Sequence, residues 1–387
     1  MAIILFDDNA HQTLLPLTYT RPVADLRIGI LTIAEKWAKY LGKETYFQTQ
    51  PYLQAKFPGF DGIGELFING SVCPDEGLLE AINNLQQGEA LQKADMLIAL
   101  RSASNSEFDR VMSYEKPFVA IKYPEDIFSK NDIELRKDFK LLTKGRESAK
   151  ISDTNTIIGT DFFAEEGATA ECSTFNTTNG PIYLGKNSSV WEGVNIRGAL
   201  ALCNDSQIKM GAKIYGATTI GPFSRVGGEI NNAVIWGYSS KGHEGYLGNA
   251  VMGEWCNIGA DSNNSNLKNN YAEVRLWDYN TERFRKTGLQ FCGLIMADHA
   301  KCGINTMFNT GTVVGVSANV FGAGYPRNFI PDFAWGGAQG FEVYSVKKMF
   351  ETAELVYSRR NRPFDEVEQE LLRTVFALTE KYRKVFS

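Results

Sequence analysis

The 387-residue sequence, 43% hydrophobic, is long enough to bury sizeable cores in about two domains. Its formal net charge of −5 argues against a nucleic-acid partner, which would call for a clustered basic surface. No apolar run reaches the roughly 18 to 20 residues of a membrane-spanning helix.

The opening MAIILFDDNA has no basic segment ahead of its apolar run, so it reads as a buried first strand and not as a leader. The six cysteines carry no CxxC pair and read as reduced residues of a cytoplasmic protein. Residues 1–145 have the look of an α/β domain. The run 3–6 ending in Asp7 and Asp8 predicts a strand, and 29–41 has helical composition with Trp37 and Leu41 four apart. Next, 65–69 leads through Gly70 and Ser71 to Asp75, a helix N-cap ahead of Leu78, Leu79, Ile82 and Leu85. Further strands are expected at 96–100 and 118–121. Such alternation implies a mostly parallel sheet with ligands at the strands' carboxyl ends. Residues 137–154, charged and without periodicity, read as a linker.

A second domain, 150–338, is announced by period. Leu184, Val190, Ile196, Leu202, Ile208, Ile214, Ile220 and Val226 stand six apart, and the pattern resumes at Met252 and again at Met296. Six is the hexapeptide signature of a parallel β-helix, which drops one apolar side chain per short strand into the axis of a prism. Glycines after the axial residue, such as Gly185 and Gly221, are expected to serve the corner dihedrals. About seven turns are expected, which at the strand spacing gives a prism on the order of 33 Å tall. Residues 263–290 leave the coil as a long polar loop. Past Gly337 helical spacing takes over, with one stripe at Met349, Ala353, Val356 and Tyr357 and another at Val367, Leu371, Leu372, Val375 and Phe376. Pro363 separates them, and 339–387 are read as a cap on the open end of the coil.

The stretch 241–268, KGHEGYLGNAVMGEWCNIGADSNNSNLK, holds one of only three histidines. His243 precedes Tyr246 by three residues, on a short insertion between hexads, so a stiff scaffold displays it. This stretch resembles the acetyltransferase segment of the bifunctional enzymes that make UDP-N-acetylglucosamine. From the histidine onward the match carries Tyr246, Leu247, Gly248, Ala250, Gly253, Asn257, Ile258, Gly259, Ala260 and Asn266 without a gap, while Lys241 lies one residue closer to the histidine than the family's lysine. More widely, LLPLTYTRPVADLRIGILT, GPFSRVGGEI, SNLKNNY and CGINTMFNTG resemble the alternative form of the family, UDP-N-acetylglucosamine diphosphorylase/glucosamine-1-phosphate N-acetyltransferase.

The resemblance implies an α/β nucleotidyltransferase-like N-terminal domain, a left-handed parallel β-helix and C-terminal helices, assembled as a homotrimer with no nucleic-acid or membrane partner. It implies acetyl-CoA as co-substrate and a coenzyme A groove lined by Ala260, Asn266 and Leu267. The chemistry of the residues agrees. Acetyl transfer to a sugar amine needs a base, for which His243 is suited. A sugar phosphate needs cations, for which Arg225 and Lys241 are candidates, and Tyr246 and Asn257 can bond sugar hydroxyls. Lys268 could grip a phosphate from the loop or simply be solvated.

The N-terminal domain departs from the family. No glycine loop follows the first strand, and Asn69-Gly70-Ser71 replaces the family's Asn-Gly-Asp, whose aspartate holds Mg²⁺. Asp7, Asp8 or Asp75 could compensate. Arg21, Arg27 and Ser71 are the nucleotide-binding candidates, with a salt-bridged structural role for each arginine as the alternative. The expectation is therefore N-acetylation of an amino-sugar 1-phosphate with a degenerate nucleotidyltransferase domain. The alternatives are a sugar-1-phosphate nucleotidylyltransferase whose coil only trimerises, or a non-catalytic sugar-nucleotide-binding regulator.

Overall fold

The computed structural model describes residues 2–62, 65–104 and 107–384. The chain divides into two compact units: residues up to Arg27 with Leu31–Tyr123, and Ile28–Ile30 with everything from Pro124 on.

The first unit is built on a six-stranded sheet. Ile3–Phe6, buried throughout, runs parallel to both Thr45–Gln48 and Leu66–Asn69. Met96–Arg101 then pairs antiparallel with Leu66–Asn69 and Glu89–Lys93, and Arg110–Ser113 runs parallel to the latter. The sheet is thus mixed where a mostly parallel one was expected. The cause is local: Lys93 pairs directly with Met96 across a two-residue turn with Ala94 at φ +49°, and so short a turn can only reverse the chain. No strand forms at 118–121, where Ala120 makes a single bridge to Val72.

The helix expected over 29–41 covers Ile33–Leu41. Thr32 and Glu35 close a capping box at its start, and Gly42 ends it in the left-handed conformation. Trp37 anchors it through an indole N–H donated to the Val72 carbonyl at 2.8 Å. Helix Glu76–Asn83 is capped by Asp75, whose carboxylate accepts from the Leu78 N–H at 2.8 Å.

In the second unit, helix Asn131–Thr143 runs into the first part of the stretch read as linker, and residues 124–145 pack with the coil. Its buried face is polar but for Leu135. Asn131 accepts from the Gly29 N–H at 2.7 Å and donates to the Ala217 carbonyl at 2.9 Å, while Asp138 accepts from the Ile30 N–H at 2.8 Å. A Cβ on Gly29 would stand 2.5 Å from the Asp138 carboxylate, and its φ of +72° likewise suits glycine.

The coil follows as a parallel β-helix. Along one face nine strands stack, from Phe162–Ala164 to Phe329–Ile330, against the seven or so turns expected. The extra turns lie before Leu184 and after Val320, outside the clean hexads. Leu184, Leu202, Ile220, Ile235, Met252, Met296, Val314 and Ile330 form one axial column of the core. Each such side chain contributes about 1.5–3 kcal/mol by burial. The glycines after axial residues have a different role from the one expected. Gly185 and Gly221 are not in the left-handed region; added Cβ atoms would stand 2.7 and 2.6 Å from the backbone of the next turn. Non-glycine residues take many of the left-handed corners, among them Phe223, Tyr238, Trp255 and His299. Three of those aromatics stack, Phe223 on Tyr238 at 4.8 Å and Tyr238 on Trp255 at 4.2 Å.

Residues 263–264 still belong to the coil, and the insertion after them carries an antiparallel hairpin, Arg275–Asp278 with Arg283–Lys286. Helix Val346–Ser358 lies along the coil's flank, where Tyr357 stacks on Trp255 at 3.8 Å. Helix Glu366–Leu378 reaches the last coil through Phe376, edge-on to Phe333 at 5.0 Å. Val367, placed in the apolar stripe, is instead exposed. Among the described residues no helix is long and apolar enough to cross a membrane.

Candidate functional site

Strand Ser240–Lys241 lies between Arg225–Val226 and Asn257–Ile258. Val226 pairs with Lys241, so the lysine falls on an inward column. It is 1% exposed, and its Nζ donates to the His243 carbonyl at 2.6 Å. Burial pushes its pKa down to about 8, with Glu244 and Asp261 pulling the other way. Lys241 therefore anchors the turn from inside and is not placed to grip a sugar phosphate, which corrects the sequence expectation. The turn is fixed further by the Glu244 carbonyl, which accepts from the Asp261 N–H at 3.0 Å. His243 itself is exposed, and its imidazole has no hydrogen-bond partner among the described residues.

Three residues on, Tyr246 opens strand Tyr246–Met252. Its hydroxyl accepts from the Asn266 amide at 2.9 Å and from the Asn231 amide at 3.4 Å, and Asn266 also donates to Asn249 at 2.7 Å. Tyr246, assigned by its chemistry to the sugar, and Asn266, assigned by resemblance to coenzyme A, thus form one hydroxyl–amide cluster. Ala260 sits half-buried at the corner of the next turn, its carbonyl accepting from the Asn305 N–H at 2.8 Å. Leu267 bridges to Phe291 at the root of the insertion.

Arg225 and Asn257 meet elsewhere, in a cavity of about 460 Å³ walled by Tyr238 and Trp255. Arg225, Ser240, Asn257 and Lys301 occupy matching positions on four neighbouring strands and face outward because Val226, Ile258 and Cys302 face in. The end of helix Val346–Ser358 brings Arg359 and Arg360 to the same space. Among the described residues the lining holds four cations and no carboxylate. Burial lowers the pKa of Arg360, and the charges of Arg225 and Arg359 lower it further, the response expected of cations crowded without a counter-ion. Burial also lowers that of Lys301, whose Nζ donates to the His299 carbonyl at 2.9 Å. Lys301, Arg359 and Arg360 were not singled out from sequence. The basic run SRRNR at 358–362 was a signal, but nothing local shows that Tyr357 docks it against the coil.

In the first unit the nucleotide-binding candidates serve the fold. Arg21 is buried and paired with Asp25 at 2.9 Å, and Arg27 pairs with Glu35 at 3.4 Å. Ser71 is fully buried, its hydroxyl donating to Asn69 at 2.7 Å. Asp7 accepts from the Val23 N–H at 2.9 Å and from the Thr49 hydroxyl, and burial raises its pKa to about 6. A separate cavity of about 320 Å³ opens beyond strand Ile3–Phe6, lined by Asp8, Lys93, Asp95 and Lys122 among others. Asp8 there already accepts from the Asn69 amide and the Ala10 N–H, each at 2.8 Å. Among the described residues no group of three His, Cys, Asp or Glu could hold a metal, and Ser71 is turned inward.

Residues 3–147 match the family model of sugar nucleotidyl transferases. A bifunctional protein GlmU of Synechococcus elongatus is 23% identical over 193 residues, 47% of this chain and 38% of that protein. Another, of Methanocaldococcus jannaschii, is 30% identical over 87 residues, 22% of this chain and 21% of that protein. The chain thus spans well under half the length of the curated relatives it matches. Among solved structures, the UDP-N-acetylglucosamine acyltransferase of Francisella novicida is similar at 12% identity and a TM-score of 0.30, over 59% of this chain and 91% of that one. The chain is similar to GlmU proteins, and it combines an α/β nucleotidyltransferase-like unit with a parallel β-helix and C-terminal helices.

Proposed function

Taking the chain as GlmU-like, we propose that it transfers the acetyl group of acetyl-CoA to the amine of an amino-sugar 1-phosphate, glucosamine-1-phosphate being the first to test. One observation carries this reading. Arg225 and Asn257 meet three further cations in a cavity that has no carboxylate among the described residues, and the strand between theirs, Ser240–Lys241, leads directly into the exposed His243. The cations suit a phosphate, because charge-assisted contacts to phosphate are the strong ones. His243 takes a proton from the ammonium or attacking amine, the nitrogen bonds to the thioester carbonyl carbon, and the carbon–sulfur bond breaks. The leaving thiolate recovers a proton to give free coenzyme A. The Tyr246–Asn266 cluster and Ala260 would line the approach of the pantetheine arm, and the working assembly would be a homotrimer. Nucleotidyl transfer would be weak or absent, because Arg21, Arg27 and Ser71 are engaged within their own unit.

The test is release of coenzyme A from acetyl-CoA in the presence of glucosamine-1-phosphate. His243→Ala is expected to lower kcat by roughly 10²- to 10⁴-fold, the usual worth of a positioned base, and to leave coenzyme A affinity nearly unchanged. Full turnover with alanine at 243 would remove the reading. A second reading, sugar-1-phosphate nucleotidyl transfer, is favoured by the cavity holding Asp8, Lys93, Asp95 and Lys122, and pyrophosphate release from a nucleoside triphosphate would establish it.

A further inference from the structure

The hairpin that interrupts the coil lines a cavity of about 760 Å³, within the range of small-molecule sites, which run to about 300–1,000 Å³. Its floor is aromatic. Trp277, on the hairpin, stacks on Phe329 at 4.2 Å with planes 13° apart, and Phe284 meets Trp277 edge-on at 5.4 Å. Phe284 is 43% exposed, and the Trp277 indole N–H is buried with no partner among the described residues. A hairpin serving only to seal the coil has no need to hold an open aromatic surface of this kind.

The rim is predominantly cationic. Lys268, Arg275, Arg327 and Lys381 line the cavity with, among the described residues, a single acid, Glu282. That acid is already paired with Lys381, and Lys268 donates to the Glu273 carbonyl at 3.0 Å. Arg275 and Arg327 are exposed, and neither has a carboxylate partner among the described residues. An apolar ligand would leave these guanidinium groups without a use, and a bare inorganic anion would leave the aromatic floor without one. A ligand with a planar ring and a negatively charged group satisfies both, since rings stack on indole and guanidinium groups bind phosphate through paired N–H donors.

We propose that this cavity binds a nucleoside phosphate. Two sources share that chemistry: the adenosine-phosphate end of coenzyme A, and a separate nucleotide. Lys268 stands two residues after Asn266, whose amide is bonded to the Tyr246 hydroxyl, so the cavity adjoins the acetyl-transfer site along the chain. The first source rests on the acetyl-transfer reading; the second does not.

The experiment is titration calorimetry on the full chain with adenosine 3′,5′-bisphosphate, UDP and inorganic phosphate, repeated with Arg275→Ala/Arg327→Ala. The wild type should bind one of the nucleoside phosphates saturably and at least about tenfold more tightly than inorganic phosphate, and the double variant should lose at least about tenfold of that affinity. The variant's ligand-free melting temperature should stay unchanged, because both side chains are exposed and unpaired. A rise in the KM for acetyl-CoA matching the loss of bisphosphate affinity assigns the pocket to coenzyme A. An unchanged KM with weakened UDP binding assigns it to a separate nucleotide. No saturable nucleoside phosphate binding, equal affinity for inorganic phosphate, or undiminished affinity in the double variant overturns the proposal. Binding that weakens in the variant of a protein without acetyl transfer keeps the cavity and removes the acetyl-transfer reading, so the two failures are distinct.

Discussion

The two units use the same kinds of polar residue in opposite ways. In the first, Arg21, Arg27, Asp7 and Ser71 are tied to neighbours, with Asp7 holding the Val23 N–H and Ser71 turned onto Asn69. In the second, Arg225, His243 and Asn257 stand exposed on the coil. The difference follows from how each region satisfies its backbone. The loops after the first strand lack a ladder, so side chains must supply their hydrogen bonds. The coil pairs its backbone from turn to turn, as in Gly227 N–H to the Lys241 carbonyl at 2.7 Å, and its outward side chains remain available.

The largest effect that could break this comparison is on Ser71. Ser71→Asp, which the motif alone suggests would restore a metal ligand, should instead bury an uncompensated carboxylate where the serine is fully enclosed. A loss on the order of 3 kcal/mol is expected by denaturant unfolding, with no gain in magnesium-dependent pyrophosphate release. Asn257→Asp, on the exposed coil face, should stay within about 0.5 kcal/mol of the wild type. A stable Ser71→Asp variant that releases pyrophosphate would show that the first unit is a working site.

A smaller effect sharpens the other side. Arg359→Ala with Arg360→Ala removes two of the four cations at the coil cavity. The KM for the amino-sugar phosphate should rise about 10- to 100-fold, as expected for losing charge-assisted bonds of about 1.5–3 kcal/mol, with kcat changed far less. Ligand-free stability should not fall, because Arg225 and Arg359 already disfavour the charge on Arg360. An unchanged KM would separate the cavity from the reaction.

How much of this was legible in the sequence depended on whether the controlling contact was periodic. The hexads from Leu184 to Val226 located the axis because each axial residue repeats the same demand. Lys241 escaped because the coil shortens there, the inward position after Val226 arriving at 241 in place of a full 18-residue turn. The last part of helix Asn131–Thr143 read as linker because its one buried residue past 136, Asp138, is polar and binds the Ile30 backbone N–H, so no apolar spacing marks it. His243, Tyr246 and Asn266 could be placed in one short stretch. Arg359 and Arg360 could not, since their place depends on Tyr357 stacking against a residue 102 positions earlier, Trp255.

The smallest effect tests whether the engaged groups of the first unit act on its stability. Burial raises the Asp7 pKa to about 6, so below its unfolded value of 3.8 the folded form is favoured, and that advantage is lost as pH rises to 6. Burial lowers the His11 pKa to about 4, so its contribution is complete above 6.5 and is lost as pH falls toward 4. Between about pH 4.5 and 6 the two slopes are opposite in sign, each worth up to about 1.4 kcal/mol per pH unit, and they should nearly cancel. In the second unit Asp332 is likewise raised to about 6 and Glu125 is raised by burial, both with the sign of Asp7. Amide hydrogen exchange on the full chain should therefore show protection of the coil falling across this window while the first unit stays nearly level. Asp332→Asn should flatten part of the coil's slope and leave the first unit's as it was. A first unit that loses protection as steeply as the coil would mean that His11 is not held neutral in the folded chain.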